Sequence, residues 1–321
     1  MFSSIFQKLN LAYPEKSDIK FHINSFPDGQ QSVDIIDTQL VKGEDVKIYS
    51  RIRSFRDIEL IICTNQALRQ LGVSSVSLYV PFFLGSRSDR KFKEGGVNYL
   101  KSVIAPIINS QNFDCVLTLD PHSDVLEATI NNFEKIDNRL LVKSALTKID
   151  NRNDAQDRII LVSPDGGALK KIYDVAEHFK IPNVITATKH RDISTGKITH
   201  TEVPLSDNID ANRRYYRDCK FVIIDDICDG GRTFIELAKS IKDKVPDAKI
   251  YLIVTHGLFT SGFDQLNIYF EKVFTTNSYA DVTIGETNAE GNSGYFTHSW
   301  DGFAKSDSIA RTDLLTQSNV F

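Results

Sequence analysis

The fold of this chain is indicated most clearly by one stretch, Val222-Ile223-Ile224-Asp225-Asp226-Ile227-Cys228-Asp229-Gly230-Gly231-Arg232-Thr233. Its apolar run predicts a buried strand, two carboxylates follow, and a turn with glycines then opens a helix. Carboxylates at a strand end can accept hydrogen bonds from two vicinal hydroxyls, and a helix N-terminus suits a phosphate. This order of features favours a site for a phosphorylated diol. The alternative is a solvated acidic turn with Thr233 as a helix N-cap.

Outward from this stretch, short β-branched runs alternate with longer amphipathic stretches in both halves of the chain. This alternation predicts an α/β fold of mainly parallel sheets flanked by helices. The predicted strands are Ser75–Tyr79, Asp114–Leu119, Ile159–Val162, Val184–Thr188, Phe221–Ile224 and Ile250–Val254. The predicted helices are Asp57–Leu71, Val97–Ile108, Ala168–Phe179 and Thr233–Lys242.

A polar stretch at residues 149–157 separates two series of strands, so we predict one domain at residues 1–146 and a second at residues 147–321. Each half carries a strand that runs into acidic residues, Asp120-Pro121-His122 in the first and Asp225-Asp226 in the second. This parallel indicates a duplicated unit. From about Thr283 we predict no elements, and whether the last residues pack back on the first domain stays open.

The composition suits a globular protein, with 321 residues, 41 % hydrophobic and 25 % charged. The net charge of −4 argues against a nucleic-acid partner. No apolar run is long enough to span a membrane, and the first residues do not form a signal peptide, so we expect a cytoplasmic protein without a membrane partner. The cysteines show no metal-site spacing and are expected to be reduced structural thiols.

The segment Asp225–Thr233 resembles the phosphoribosyl-binding motif of the phosphoribosyltransferase fold. The chain as a whole, roughly from Phe26 to Ser278, resembles the ribose-phosphate pyrophosphokinases, because five further segments follow in that family's order. They are Phe26–Gln30, Pro81–Lys91, Asp120–His122, Ser163–Ala168 and Lys189–Arg191. The resemblance implies two tandem phosphoribosyltransferase-type domains, with ATP-contacting segments in the first and the ribose 5-phosphate loop and a catalytic flap in the second.

The resemblance also implies roles for individual residues. Lys189 and Arg191 would be catalytic, and His122 and Asp165 would lie at a Mg²⁺ site. ATP would be contacted by Phe26, Asp28, Gln30, Arg87, Ser88, Asp89 and Lys91. Ribose 5-phosphate would be held by Asp225, Asp226, Asp229, Gly230, Gly231, Arg232 and Thr233.

The chemistry of these residue types agrees with such roles. Diphosphoryl transfer needs positive charge around the reacting phosphates, and Lys189 and Arg191 lie two apart after a predicted strand. The residues after them predict a hairpin that could close on substrate, although a basic surface hairpin is the alternative. Arg87, Asp89 and Lys91 alternate, which predicts that they share one face. Mg²⁺ prefers oxygen ligands, so Asp165 suits it better than His122, which could instead be a core histidine.

The implied reaction makes phosphoribosyl pyrophosphate and AMP from ATP and ribose 5-phosphate. The alternatives are a phosphoribosyltransferase that consumes phosphoribosyl pyrophosphate and a regulatory relative without activity. In the family the loop corresponding to Phe26–Gln30 reaches a neighbouring subunit's ATP site, which implies a homo-oligomer of at least two subunits. This sequence departs from the family at Gln30, where Glu is usual, and at Arg232, where glycine is common and a positive φ would strain arginine.

Overall fold

A computed structural model of the protein describes residues 6–152, 155–191, 198–205, 215–281 and 295–298. These residues form two compact units, one ending at Asp137 and the other spanning Asn138–His298. The division precedes the predicted boundary at residues 146/147 because the helix Arg139–Ile149 packs on strands of the second unit. Apart from residues 295–298, the segment after about Thr283 lies outside the described residues.

The described part of the first unit is built on a parallel sheet with the strand order β1-β4-β5-β6-β7. Strands β2 and β3 form a separate antiparallel hairpin. The strands are β1 (Gln7–Asn10), β2 (Phe21–Ser25), β3 (Gln31–Ile35), β4 (Asp45–Tyr49), β5 (Ser75–Tyr79), β6 (Cys115–Leu119) and β7 (Phe133–Ile136).

The helices of the first unit cover this sheet. They are α1 (Thr38–Val41), α2 (Phe55–Gln70), α3 (Ala105–Asn109), which a π-helical turn at Leu100–Ile104 precedes, and α4 (Val125–Thr129). Helix α2 begins at a capping box in which Ser54 and Asp57 satisfy each other's backbone N–H groups. Its buried residues include Ile58, Ile61 and Leu68, whose helical spacing directs one face to the core.

The second unit has a parallel sheet with the strand order β15-β14-β13-β12-β8-β9 among its described residues. Strands β10 and β11 pair antiparallel as a separate hairpin. The strands are β8 (Ile159–Ser163), β9 (Asn183–Thr186), β10 (Thr188–Arg191), β11 (Ile198–Glu202), β12 (Lys220–Cys228), β13 (Lys249–Gly257), β14 (Lys272–Thr276) and β15 (Tyr295–His298).

Helices flank this second sheet as well. They are α5 (Arg139–Ile149), α6 (Ala155–Arg158), α7 (Leu169–Phe179), α8 (Arg232–Lys244) and α9 (Asp264–Tyr269). Each unit has its own hydrophobic core, and in the second the apolar face of α8 packs against the interior strands. The prediction of an α/β fold with two mainly parallel, helix-flanked sheets is confirmed. In the described part of the chain, no helix has the length and apolar character needed to cross a membrane.

Strand β12 is longer than the sequence predicted, and the difference matters for function. The predicted strand ended at Ile224, whereas β12 continues to Cys228 because its pairing with β13 runs as far as Cys228 opposite Gly257. The pairing of β12 with β8 on its other side stops at Ile223. Asp225 is therefore paired with β13, opposite Val254, and Asp225 and Asp226 both lie beyond the part of β12 that pairs with β8.

The strand order reverses between β8 and β12. The chain passes from β8 to β9 in one direction and from β12 through β13 to β14 in the other. In open parallel sheets, such a switch point leaves a crevice at the carboxyl ends of the strands where ligands bind. The acidic residues of β12 and the loop after β8 both lie at this crevice.

Candidate functional site

Two carboxylates of β12 form the centre of the candidate site. Asp226 is buried, with 5 % of the residue's surface exposed. Its backbone N–H donates to Oδ1 of Asp225 at 2.9 Å. The ammonium of Lys171, on α7, lies 3.9 Å from Oδ2 of Asp226. Lys171 thus lies near one of the two adjacent carboxylates at the switch point.

The electrostatics of this pair are unfavourable in the absence of a partner molecule. Burial raises the pKa of Asp225 well above its usual range, and the neighbouring carboxylates of Asp226 and Asp165 raise it further. A group with such a pKa holds its negative charge at a cost in free energy. Hydroxyl donors or a cation bound here would offset that cost, so the pair is suited to bind a ligand.

Asp165 lies in the loop after β8 and orders the start of α7. Its Oδ1 accepts hydrogen bonds from the backbone N–H groups of Gly167, at 2.9 Å, and Ala168, at 3.2 Å. The Ser163 hydroxyl donates to the carbonyl oxygen of Asp165 at 2.7 Å. The loop Ser163–Ala168 is therefore held by its own hydrogen bonds, with the Asp165 carboxylate close enough to affect Asp225.

The turn after β12 leads directly into α8. Gly231 has φ = +78°, and Arg232 is the first residue of the helix. The left-handed conformation therefore falls on Gly231, and the strain expected from arginine in place of the usual glycine does not arise. Arg232 is exposed and Thr233 is half-buried. The first backbone N–H groups of this 13-residue helix and both side chains are thus available to an anion.

A second loop supports this turn, and sequence reasoning did not identify it. After β13, the Thr260 hydroxyl donates to Oδ1 of Asp229 at 2.7 Å, and the Thr260 N–H donates to the Asp229 carbonyl at 3.1 Å. The Ser261 hydroxyl lies so close to Gly230 that a Cβ there would come within 2.7 Å of it. The sequence Thr260-Ser261-Gly262 after an apolar strand was the available signal.

Replacing Gly231 by alanine should lower the free energy of unfolding by roughly 1–2 kcal/mol, the cost of a left-handed backbone for a residue with a Cβ. The new methyl group would also come within 3.1 Å of Leu266. Denaturant unfolding followed by circular dichroism measures the loss. Gly166→Ala is the control, because nothing lies within 4 Å of a Cβ at Gly166. Equal stabilities of the two variants would contradict this account of the turn.

The predicted catalytic residues lie on β10. Lys189 is opposite Thr201, and Arg191 is opposite Ile198 beyond an irregularity in the register. The backbone therefore forms the two antiparallel strands expected of a hairpin. Residues 192–197, at the predicted tip, and the side chains of Lys189 and Arg191 lie outside the described part, so their catalytic role stays a prediction.

The loop Phe26–Gln30 connects β2 and β3 in the first unit. The Phe26 N–H donates to the Gln30 carbonyl at 2.8 Å, and the Gln30 N–H donates to Oδ1 of Asp28 at 3.1 Å. Half of the Phe26 side chain is exposed. An ordered hairpin tip with an exposed ring can contact another molecule, although the nucleotide contact remains a prediction.

The segment Arg87–Lys91 follows β5, but it does not form a strand. The Ser88 N–H donates to the Gly85 carbonyl at 2.8 Å, which closes a turn. Asp89 is 7 % exposed, whereas Arg87 and Lys91 are exposed. The prediction that these three side chains share one face is wrong, because alternation holds only for a strand. Ser88 is half-buried, and contact of the segment with ATP stays a prediction.

His122 follows β6 in the first unit and is exposed, after a buried Asp120 with φ = +41°. Asp165 belongs to the second unit. Across the described ranges, no three His, Cys, Asp or Glu side chains are grouped so that they could hold a metal ion by themselves. A cation bound by Asp165 would therefore take most of its ligands from a bound substrate and water, as Mg²⁺ often does.

Comparison with known proteins shows similarity to proteins that handle phosphoribosyl groups. The pattern of the phosphoribosyl transferase domain matches residues 130–276. A protein from Haemophilus ducreyi named ribose-phosphate pyrophosphokinase is 27 % identical over 246 residues, which cover 74 % of this chain and 71 % of the relative. One of the same name from Pyrococcus furiosus is 26 % identical over 269 residues, 82 % of this chain and 88 % of the relative.

A solved structure supports the fold. The phosphoribosylpyrophosphate synthetase from Mycobacterium smegmatis superposes with a TM-score of 0.72, covering 94 % of this chain and 93 % of that one. The identity is 15 %, so the likeness concerns architecture alone. That architecture comprises both parallel sheets with their flanking helices.

Proposed function

We propose that this chain, a divergent member of the ribose-phosphate pyrophosphokinase family, transfers the diphosphate group of ATP to the C1 hydroxyl of ribose 5-phosphate and releases AMP. The single observation that carries the proposal is the arrangement at the end of β12. There, Asp225 and Asp226 precede a left-handed Gly231 and the N-terminus of α8. Relatives that carry the name of this enzyme support it.

The sugar phosphate would occupy the crevice between β8 and β12. Asp225 and Asp226 would accept hydrogen bonds from its ring hydroxyls, which relieves the mutual repulsion of these carboxylates. The phosphate would lie at the turn Asp229–Thr233, where backbone N–H groups of α8, the Thr233 hydroxyl and the Arg232 guanidinium can donate. Such binding would fix the C1 hydroxyl relative to the protein.

In the transfer step, the oxygen of the C1 hydroxyl forms a bond to the β-phosphorus of ATP. The bond between that phosphorus and the oxygen bridging to the α-phosphate breaks, AMP departs, and the hydroxyl proton is released. Lys189 and Arg191 would neutralise the charge that shifts onto the departing phosphate. The hairpin β10–β11 would exclude water from the β-phosphorus.

Mg²⁺ is the cofactor implied by this chemistry. The residues fit it in that the carboxylates of Asp226 and Asp165 both raise the pKa of Asp225, so that a cation would reduce the repulsion. His122 would add a ligand. When bound, Mg²⁺ would neutralise triphosphate charge. Asp165 would contribute a carboxylate while its Oδ1 also accepts hydrogen bonds from the N–H groups of Gly167 and Ala168. We further propose that the protein forms a homo-oligomer of at least two subunits and is located in the cytoplasm.

The test is an assay with ATP, ribose 5-phosphate and Mg²⁺ in which AMP and phosphoribosyl pyrophosphate are measured as products. We expect both in equal amounts, and neither in excess chelator. Consumption of added phosphoribosyl pyrophosphate with a nucleobase would instead indicate a phosphoribosyltransferase. A protein that binds substrates but releases no product would be a regulatory relative, and turnover in chelator would remove the role of Mg²⁺.

Replacing Arg232 by glutamine should raise the KM for ribose 5-phosphate ten- to a hundredfold, because a charge-assisted hydrogen bond contributes roughly 1.5–3 kcal/mol. The helix should persist, since glutamine suits helical positions. Lys242→Gln is the control, because it removes the same charge from the last turn of α8. An unchanged KM for Arg232→Gln would show that this arginine does not contact the sugar phosphate.

A further inference from the structure

The second unit has two adjoining cavities at the end of its sheet where the parallel strands begin, opposite to the crevice at their carboxyl ends. Strands β8, β12 and β14 run in the same direction, and the cavity walls include their first residues, Ile159, Lys220 and Lys272. The remaining walls come mainly from the end of α5 and the segment after it. This end of the sheet takes no part in the proposed reaction, and the inference does not rest on the proposed function.

The two cavities differ in character. The smaller, of about 250 Å³, is lined in part by the apolar side chains of Leu146, Phe179 and Ile181. The larger, of about 540 Å³, is lined mostly by polar and charged residues. They share a wall formed by Thr147, Asp150, Asn151 and Arg152. Sites for small organic ligands usually measure ~300–1,000 Å³ and combine an apolar part with a few polar groups.

The larger cavity concentrates positive charge on a protein whose net charge is −4. Its walls carry four cationic side chains, Lys148, Arg152, Lys220 and Lys272, and one carboxylate, that of Asp150. Arg152 Nε donates to Oδ1 of Asp150 at 2.8 Å, and this contact lowers the pKa of Asp150 to about 2. The side chains that line this cavity therefore carry a net positive charge, with four cations and one carboxylate.

The positive charge of Lys220 is unfavourable in its surroundings. Burial lowers the pKa of Lys220, and the nearby charges of Lys249 and Arg152 lower it further, while Asp150 and Asp218 act in the opposite direction. Its Nζ donates to the carbonyl of Asp218 at 3.3 Å. The negative end of α5 adds some opposing charge, which Lys148 in its last turn offsets. An anion in the cavity would therefore be stabilised.

We propose that these cavities bind a small molecule that joins a phosphate group to an apolar or ring-shaped part. The phosphate would lie between Lys220 and Lys272, with Lys148 nearby. The ring-shaped part would lie against Leu146, Phe179 and Ile181. Asp150 and Arg152 would contact the ligand where its phosphate joins its ring-shaped part. Their ion pair holds the backbone after α5 in place for this contact.

The test is hydrogen exchange of the full chain followed by mass spectrometry, which separates this site from the crevice. The probes are adenosine 5′-monophosphate, inorganic phosphate and adenosine, each at low ionic strength. We expect adenosine 5′-monophosphate to slow exchange in residues 143–152 most, with adenosine alone having little effect. In the double variant Lys220→Gln, Lys272→Gln, the concentration needed for protection should rise at least about tenfold.

Lys239→Gln is the matched control, since Lys239 pairs with Glu236 on α8 away from the cavities. Thermal unfolding checks that each variant is folded, and Lys272→Gln alone replaces the double variant if that one is not. Equal protection by inorganic phosphate would overturn the role of the apolar cavity. No protection of residues 143–152 by any probe, or protection that the lysine substitutions leave unchanged, would overturn the site.

Discussion

Replacing Lys189 or Arg191 by alanine is expected to lower kcat by about a hundredfold or more. Loss of one preorganised donor to a developing charge commonly has an effect of this size. Both residues would act mainly as charge shifts from the β-phosphoryl to the departing AMP, and contacts made only in the transition state lower kcat without raising KM. Steady-state kinetics with saturating ATP and ribose 5-phosphate measures the change.

The control for this experiment is His190→Ala, which alters the same strand between the two cations. Calorimetry should show nearly unchanged binding of both substrates in the Lys189 and Arg191 variants. If the two variants retain turnover, the hairpin is not catalytic and the reading as a regulatory relative gains weight. If they lose binding and turnover together, the two cations attract substrate in the ground state instead.

Replacing Asp225 by asparagine should weaken ribose 5-phosphate binding about ten- to a hundredfold while ATP binding stays near normal. Two hydrogen bonds of a carboxylate to hydroxyl groups would become weaker and less complete. Asp226→Asn should have a similar effect on sugar binding. Asp243→Asn, at an exposed position of α8, is the control for removal of one negative charge. Calorimetric titration with each substrate separately distinguishes the outcomes.

The same Asp225 variant should raise the melting temperature at pH 8. Because the folded protein raises the pKa of Asp225 above its usual value of 3.8, the folded state binds its proton more readily than the unfolded state. The contribution of this group to stability is therefore lost as pH rises through the raised pKa. Asparagine removes that pH-dependent loss. Melting curves in chelator at pH 5 and pH 8 test this, and a lower melting temperature for Asp225→Asn at pH 8 would contradict it.

The comparison of the observed β12 with the predicted strand shows how much of an element local sequence can predict. The apolar run from Phe221 to Ile224 was enough to identify a buried strand, and the glycines that follow were enough to identify the turn into α8. The sequence could not show that β12 continues through both aspartates. That extension depends on its pairing with β13, a segment more than 20 residues away in the chain, which lies beyond any local pattern.

The segment Arg87–Lys91 shows the same limit of local sequence, because here an extended segment was predicted and no strand forms. Alternating charged residues after a strand predicted an extended segment, but the segment forms no strand, a turn from Gly85 to Ser88 overlaps its start, and Asp89 is buried. Burial depends on what packs over a residue, and the residue's own neighbours in sequence do not reveal it. Lys171 was not identified for the same reason, since its position in the sequence does not show that it lies near Asp226.

The sequence by itself determined the α/β class and the segment at which β12 passes into α8, because periodicity and turn chemistry are local properties. Only the tertiary structure decided that the strand order reverses beside Asp225, that left-handed backbone falls on Gly231 while Arg232 starts a helix, and that lysines from separate strands line one cavity. These features depend on which distant segments pack together, and that is set by the free energy of the whole fold.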